Sequence, residues 1–239
     1  MPRLSRNDIE RISERVYAAY RKLPEVTDKR VLRISPDLML KLVGLRIEHC
    51  HLSVSGMIVG VSCSSGHHIR VYDSEDEREF FCLDEKTVIV DKELHDDKKR
   101  RGMYNFTVMH EISHQVLKML FPGEYKNVSY RTYHHNRMDW HQPITDWEEW
   151  QANALASALL MPKDLIHQGM YYCGLEGRIE ILNRKYRAKE YAAFSNLADF
   201  LGVSKTALAI RMKYLGLIGE DHLRYPDIML EVEVDKEDD

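Results

Sequence analysis

Apolar side chains recur at helical spacing near the start of the chain. Ile9, Ile12 and Val16 fall three or four positions apart, which places them on one face of a helix. Ser5 precedes them as a capping residue, and Pro24 ends the pattern because proline cannot continue a helix. A Ser-Pro pair predicts a second short helix over 35–45 by providing a cap and a first-turn proline.

Residues 46–91 change to short apolar runs separated by polar turns. The runs are rich in β-branched and aromatic residues, which favour strands. The sequence therefore predicts a small β-sheet built from segments 57–61, 69–72, 79–83 and 87–90. Helical patterns return after this region, and they cover 104–120, 147–160 and most of 163–194.

Composition and charge narrow the class of protein. The 239 residues are 44% hydrophobic and 30% charged, which is typical of a globular chain. The net charge is −4, and residues 231–239 alone carry six acids and one lysine. The remainder is therefore close to neutral, which argues against a broadly basic nucleic-acid-binding protein.

Three absences in the sequence concern the cellular compartment. No apolar run approaches the roughly 18 residues of a membrane span, and the N-terminus lacks the apolar centre of a signal peptide. The four cysteines are scattered without a CxxC pair, which is typical of reduced thiols. We therefore expect a cytoplasmic protein that does not interact with a membrane.

The strongest chemical signal is the segment His-Glu-Ile-Ser-His at 110–114. On a helix, His110 and His114 are four residues apart and share one face, so their imidazoles can bind one tetrahedral Zn²⁺ ion. Glu111 lies one residue off that face, beside the position that a catalytic zinc leaves open. There it can take a proton from water and later pass it to a leaving amine.

A third zinc ligand is predicted on the helix at 147–160. Glu149 shares one face of this helix with Asn153 and with small alanines, which permit close packing against another helix. A carboxylate on a buried face needs a cation or strong hydrogen bonds to offset its desolvation. Glu149 is therefore the predicted ligand, and Glu148, about 100° around the helix and expected to face solvent, is the alternative.

These motifs together resemble a known family. Phe-Thr-Val-Met at 106–109 precedes the histidine motif, Glu-Trp-Gln-Ala-Asn-Ala-Leu-Ala occupies 149–156, and Leu-Leu-Met-Pro follows at 159–162. The combination resembles the ImmA/IrrE family of zinc metallo-endopeptidases, and the resemblance covers roughly residues 30–218. Gln151 departs from the family, which often has glutamate at this position.

The resemblance implies the fold, the chemistry and the substrate class. It implies that His110, His114 and Glu149 bind zinc and that Glu111 activates water. Members are bacterial or phage-borne and are implied to cleave helix-turn-helix repressors that silence mobile elements or stress-response genes. The family usually has Leu-Gly where Ile-Ser stands at 112–113, but these positions are not ligands, so the expected chemistry is unchanged.

An α+β architecture in three parts follows from these predictions. Residues 1–194 are expected to form a zincin-like metallopeptidase domain, with N-terminal helices and a small β-sheet beside the HExxH helix. Residues 195–218 resemble a helix-turn-helix unit, because Gly202 suits the turn and Ser204 can cap the second helix. Residues 219–239 form the acidic C-terminal tail, in which apolar residues alternate after position 226 and predict an edge strand.

The helix-turn-helix-like unit raises DNA as a second partner. Lys205, Arg211 and Lys213 against Asp199 give the segment a net charge of +2, which supports few phosphate contacts. A structural or substrate-docking role is therefore favoured over DNA binding. The sequence leaves the oligomeric state open.

The polar segment at 123–145, between the two metal-binding helices, contains further candidates. A tyrosine, arginine or histidine there could stabilise an oxyanion, although a plain surface loop has the same composition. A fourth buried histidine from this segment would instead close the zinc site, the candidates being His134, His135 and His141. The protein would then be a non-catalytic, zinc-containing module that binds a repressor or DNA. Three convincing ligands favour the enzyme.

Overall fold

The fold consists of helices and short strands that alternate along the chain. The computed structural model describes residues 2–63, 66–73, 76–81, 84–124, 132–134 and 146–227. The helices are α1 (Arg6–Tyr20), α2 (Pro36–Val43), α3 (Lys92–Asp96), α4 (Arg101–Leu120), α5 (Trp147–Leu160), α6 (Lys163–Cys173), α7 (Ala188–Leu201) and α8 (Lys205–Tyr214). The strands are β1 (Arg46–Cys50), β2 (Ile58–Ser62), β3 (His68–Asp73), β4 (Asp76–Phe81), β5 (Thr87–Asp91), β6 (Thr132–His134), β7 (Ile179–Leu182) and β8 (Ile218–Asp221).

Four strands form a mixed sheet in the order β1-β5-β2-β6. β1 runs parallel to β5, whereas β2 is antiparallel to both β5 and β6. β5 is buried along its whole length because side chains alternate between two covered faces. Val88 and Val90 belong to the main core with α4, and Ile89 belongs to a second cluster with the β3–β4 hairpin. The sheet therefore separates α4 from the hairpin.

Helix α5 lies between α4 and α1. Of its 14 residues, 11 are buried, so the helix has no fully solvent-exposed face. The carboxylate of Asp146 caps it by accepting the backbone N–H groups of Glu148 and Glu149. The cap fixes the first turn of α5 against α4, where the two helices approach closely.

The turn between α7 and α8 packs against the beginning of α4. Asn105 Nδ2 donates a hydrogen bond of 2.8 Å to the carbonyl oxygen of Gly202. Gly102 permits this approach, because a Cβ atom there would lie 2.5 Å from backbone atoms of Val203 and Ser204. Buried residues of α7 and α8 share one core with α4 and α5, so the C-terminal helices hold α4 in place.

The first two helices begin where the sequence predicts. Ser5 and Asp8 form a reciprocal capping box at α1, and Ser35 caps α2 directly before Pro36. β2, β3, β4 and β5 overlap the four predicted strand segments. The α+β class is confirmed, although the strands divide between the mixed sheet, the β3–β4 hairpin and a separate β7–β8 pair.

The helical prediction for 163–194 is wrong in its middle. Helix α6 ends at Gly174, whose φ of 73° is readily adopted by glycine, and β7 follows it. β7 pairs in parallel with β8, so Ile179 lies opposite Ile218. This partner is distant in sequence, and local periodicity carries no signal for such a pairing.

Some predictions concern residues outside the described part of the chain. The strand predicted after position 226 and most of 123–145 are in this group. The division at 194 and 218 stays a prediction. No helix of the described residues combines the length and apolar character needed to cross a membrane.

Candidate metal centre

Helix α4 carries the three residues of the HExxH motif in the interior of the protein. His110 and Glu111 are each 1% exposed, and the His114 side chain is 10% exposed. The Nε2 atoms of the two histidines lie 3.1 Å apart. The four-residue spacing therefore directs both imidazoles to one point beside the helix.

Helix α5 brings Glu149 to the same point. Its Oε2 atom lies 3.2 Å from His110 Nε2, and its Oε1 atom lies 3.3 Å from His114 Nε2. The Glu149 side chain is 26% exposed, so this side of the cluster remains open. The structure thus brings the three predicted ligands together.

The geometry and chemistry of these donors fit a zinc ion. Ligand bonds of about 2.0–2.1 Å in a tetrahedron place neighbouring donors roughly 3.3 Å apart. The three separations here are 3.1, 3.2 and 3.3 Å. Within the described ranges, His110, His114 and Glu149 are the one group of three or more histidine, cysteine or acidic residues that could hold a metal ion. Two imidazoles and one carboxylate suit zinc better than magnesium or calcium, which prefer oxygen ligands.

Glu148 does not face solvent as the sequence suggested. It is only 4% exposed, and its Oε1 atom lies 3.6 Å from His114 Nδ1. The expectation failed because α5 is also covered on the side about 100° from Glu149, so Glu148 points into protein. The apolar run that follows Glu148 in the sequence was the available signal, since a helix without a polar face is buried all round.

Asn153 contacts the other histidine. Its Oδ1 atom lies 3.1 Å from His110 Nδ1, and its Nδ2 group donates a hydrogen bond of 2.8 Å to the carbonyl oxygen of Glu149. The sequence placed Asn153 on the Glu149 face but assigned it no role. Both histidines therefore have a polar group of α5 beside the nitrogen that points away from the metal site.

Glu111 is enclosed between α4 and β2. Ser62 Oγ donates a hydrogen bond to Glu111 Oε2, whereas Oε1 is buried without a hydrogen-bond partner among the described residues. Burial raises the pKa of Glu111 above its ordinary value, although the nearby histidines and the Ser62 hydrogen bond oppose the rise. A buried carboxylate with one free oxygen and a raised pKa can accept and return a proton.

The charges of the cluster shift the pKa values of His114 and Glu149 in opposite directions. Burial disfavours the charged imidazole, but Glu148 and Glu149, with a further contribution from Glu111, outweigh it and raise the pKa of His114 to about 10. Burial alone would raise the pKa of Glu149, yet hydrogen bonds to His110 and His114 hold it well below its ordinary value. The metal-free cluster therefore holds a proton where a metal ion would bind.

Zinc binding should accordingly depend on pH. Zinc needs the neutral imidazole of His114, whose pKa of about 10 keeps it protonated at neutral pH in the metal-free protein. Because the proton competes with zinc, we expect the apparent affinity to rise about tenfold per pH unit up to the pKa. Competition with a chelator in buffers of increasing pH measures this rise. An affinity that stayed constant from neutral to alkaline pH would show that His114 is already neutral.

The remaining sequence candidates divide into two groups. Tyr130, His135 and His141 lie outside the described residues, as do all side chains of the segment 132–134. Arg211 is described, but it is 3% exposed and pairs with Glu10. Its burial removes one of the three basic residues that were counted as phosphate contacts.

Comparison with known protein families finds a match over most of the chain. The family model of the IrrE N-terminal-like domain, a peptidase family, matches residues 68–213, which is more than half of the chain. The matched range includes His110, His114 and Glu149. A search of curated proteins finds no match.

Proposed function

The chain belongs to the IrrE N-terminal-like family of peptidases, and from this premise we propose that it is a zinc-dependent endopeptidase acting on a protein substrate. The proposal adds three details to the family. The metal is zinc, Glu111 is the catalytic base, and the substrate is a helix-turn-helix transcriptional repressor of a mobile element or stress response.

The unpaired oxygen of Glu111 beside a three-ligand cluster is the observation that supports catalysis. A structural zinc has four protein ligands, whereas a catalytic zinc has three and keeps one position for water. Three of the described residues could act as ligands, and Glu111 Oε1 lies buried without a hydrogen-bond partner among the described residues. A buried acceptor without a partner costs about 1–3 kcal/mol, so a water molecule that filled this place would relieve that cost.

The mechanism follows from the contacts of Glu111. Zinc, when bound by His110, His114 and Glu149, supplies a Lewis acid that polarises the scissile carbonyl and acidifies water. Glu111 accepts the proton of the attacking water on Oε1, while Ser62 holds Oε2. The raised pKa lets the same carboxyl give this proton to the leaving amine.

Gly60 makes room for the Glu111 carboxylate, and Gly60→Ala tests this support. A Cβ atom at this position would lie 2.7 Å from Thr107 Cγ2 and 2.8 Å from Glu111 Oε1. Because a shift of about 1 Å in a catalytic group can cost on the order of 100-fold in rate, we expect cleavage to fall while zinc content is kept. Gly123→Ala is the control, since it has open space around it. Equal cleavage by both variants would mean that β2 does not position the base.

One experiment tests the proposed activity. The purified protein should contain about one zinc ion per chain and should cleave a helix-turn-helix repressor, the first candidates being any such repressors encoded next to its gene. Removal of the metal by a chelator should stop cleavage, and added zinc should restore it. A zinc-loaded protein that binds this repressor without cutting it would support the non-catalytic module instead.

DNA binding is proposed as a minor property at most. With Arg211 paired to Glu10, Lys205 and Lys213 remain as the basic residues of the unit. Two phosphate contacts give weak, salt-sensitive binding. Tight, sequence-specific binding at physiological salt would favour the regulatory module over the peptidase.

A further inference from the structure

In each histidine of the cluster, the two ring nitrogens have different neighbours. The Nε2 atoms of His110 and His114 face each other and Glu149. The Nδ1 atom of His110 faces Asn153 Oδ1 at 3.1 Å, and that of His114 faces Glu148 Oε1 at 3.6 Å. Both rings are therefore held with the same nitrogen towards the metal site.

The two outer groups share one helix with the third ligand. Asp146 caps α5 and fixes the turn that carries Glu148 and Glu149. The amide of Asn153 has a defined direction as well, because its Nδ2 group donates to the carbonyl oxygen of Glu149 and leaves Oδ1 for His110. The packing of α5 against α4 thus places Glu149, Glu148 and Asn153 beside the two histidines at the same time.

The position of Glu148 argues against a role as ligand. Its Oε1 atom lies beside Nδ1 of His114, whereas the shared metal point is formed by Nε2 atoms. An acid that is 4% exposed would carry a large desolvation cost without a polar partner. Polar groups behind the ligating histidines commonly fix ring orientation and strengthen metal binding.

We propose that Glu148 and Asn153 are positioning residues that orient His114 and His110 for zinc through their Nδ1 atoms. This inference rests on the proposed function in taking the cluster as a zinc site. Loss of such an orienting group typically lowers metal affinity by about 10–100-fold without removing the site.

Three substitutions of similar size test the proposal. Glu148→Met and Asn153→Leu remove the acceptor but keep the volume, whereas Glu148→Gln keeps an acceptor oxygen. We expect about one zinc per chain in all three, with affinity reduced about 10–100-fold in Glu148→Met and Asn153→Leu and closer to the parent in Glu148→Gln. Chelator competition from neutral to alkaline pH gives the affinities, so that a change in proton competition at His114 is separated from a loss of orientation. Exposed Glu14→Gln and Asn7→Ala on α1 are the controls.

The outcomes separate this inference from the proposed function. Parent-like affinity in Glu148→Met and Asn153→Leu would overturn the positioning role. A loss in Glu148→Gln as large as in Glu149→Gln would overturn it too, because that result makes Glu148 a ligand. Circular dichroism checks folding, and Glu148→Ala replaces a methionine variant that does not fold. A parent protein that binds zinc but cuts no repressor would refute the peptidase and leave the positioning test intact.

Discussion

Glu111→Gln is expected to lose nearly all peptide cleavage while it keeps zinc and the fold. Glutamine preserves the shape of the side chain and can still accept the Ser62 hydrogen bond, but it cannot take a proton from water. General acid–base catalysis contributes about 10²- to 10⁴-fold, so the rate should fall by at least that order. Zinc content, thermal melting and repressor cleavage should be measured beside the parent.

The stability of the Glu111→Gln protein provides an internal check. Burial raises the pKa of Glu111, which means that the ionised carboxylate is unfavourable in this environment. The neutral amide removes that cost, so the variant should melt at or above the parent temperature. Exposed Glu190→Gln on α7 should change neither activity nor melting. Undiminished cleavage by a zinc-loaded Glu111→Gln protein would disprove water activation by this residue.

The second large effect is the loss of metal from His110→Ala and His114→Ala. Each substitution leaves two of the three donors, and zinc depends on several ligands converging at one point. We expect bound zinc to fall from about one per chain to a small fraction, with cleavage lost in proportion. Metal analysis after extensive dialysis measures the zinc content.

Both histidine variants should lose stability. His110 is almost fully buried, so alanine leaves a cavity and also leaves Asn153 Oδ1 without its histidine. A buried polar atom without a partner costs about 1–3 kcal/mol. His114→Ala likewise removes the histidine beside buried Glu148, so thermal melting should establish that each variant folds before its metal is analysed. Full zinc occupancy in both folded variants would show that the metal binds elsewhere.

Local signals predicted those parts of the fold that local interactions determine. Ser5 predicts the start of α1, because a cap involves residues only three positions apart, and the structure adds Asp8 as its reciprocal partner. β5 was found as a continuous β-branched run, since a strand buried on both faces has no polar positions. The pairing of β7 with β8 and the order of the mixed sheet could not be predicted, because both depend on contacts between distant segments.

The candidate metal ligands were predictable for a related reason. His110 and His114 are fixed by one helical turn, and Glu149 was identified from the composition of its own helix face. Glu148 was misplaced, because its surroundings depend on how α5 docks between α4 and α1. The role of Ser62 beside Glu111 was also missed, since β2 approaches α4 only in the folded chain.

In the proposed mechanism, the base that moves the proton is separate from the residues that would hold the metal, and this separation has an evolutionary consequence. A glutamate codon becomes a glutamine codon by a single nucleotide change, and at Glu111 that change would leave all three ligands in place. Under the proposed function, a gene whose product degrades its target could thus become, in one mutational step, a gene whose product sequesters it. A single substitution in this fold therefore separates irreversible control by degradation from reversible control by titration.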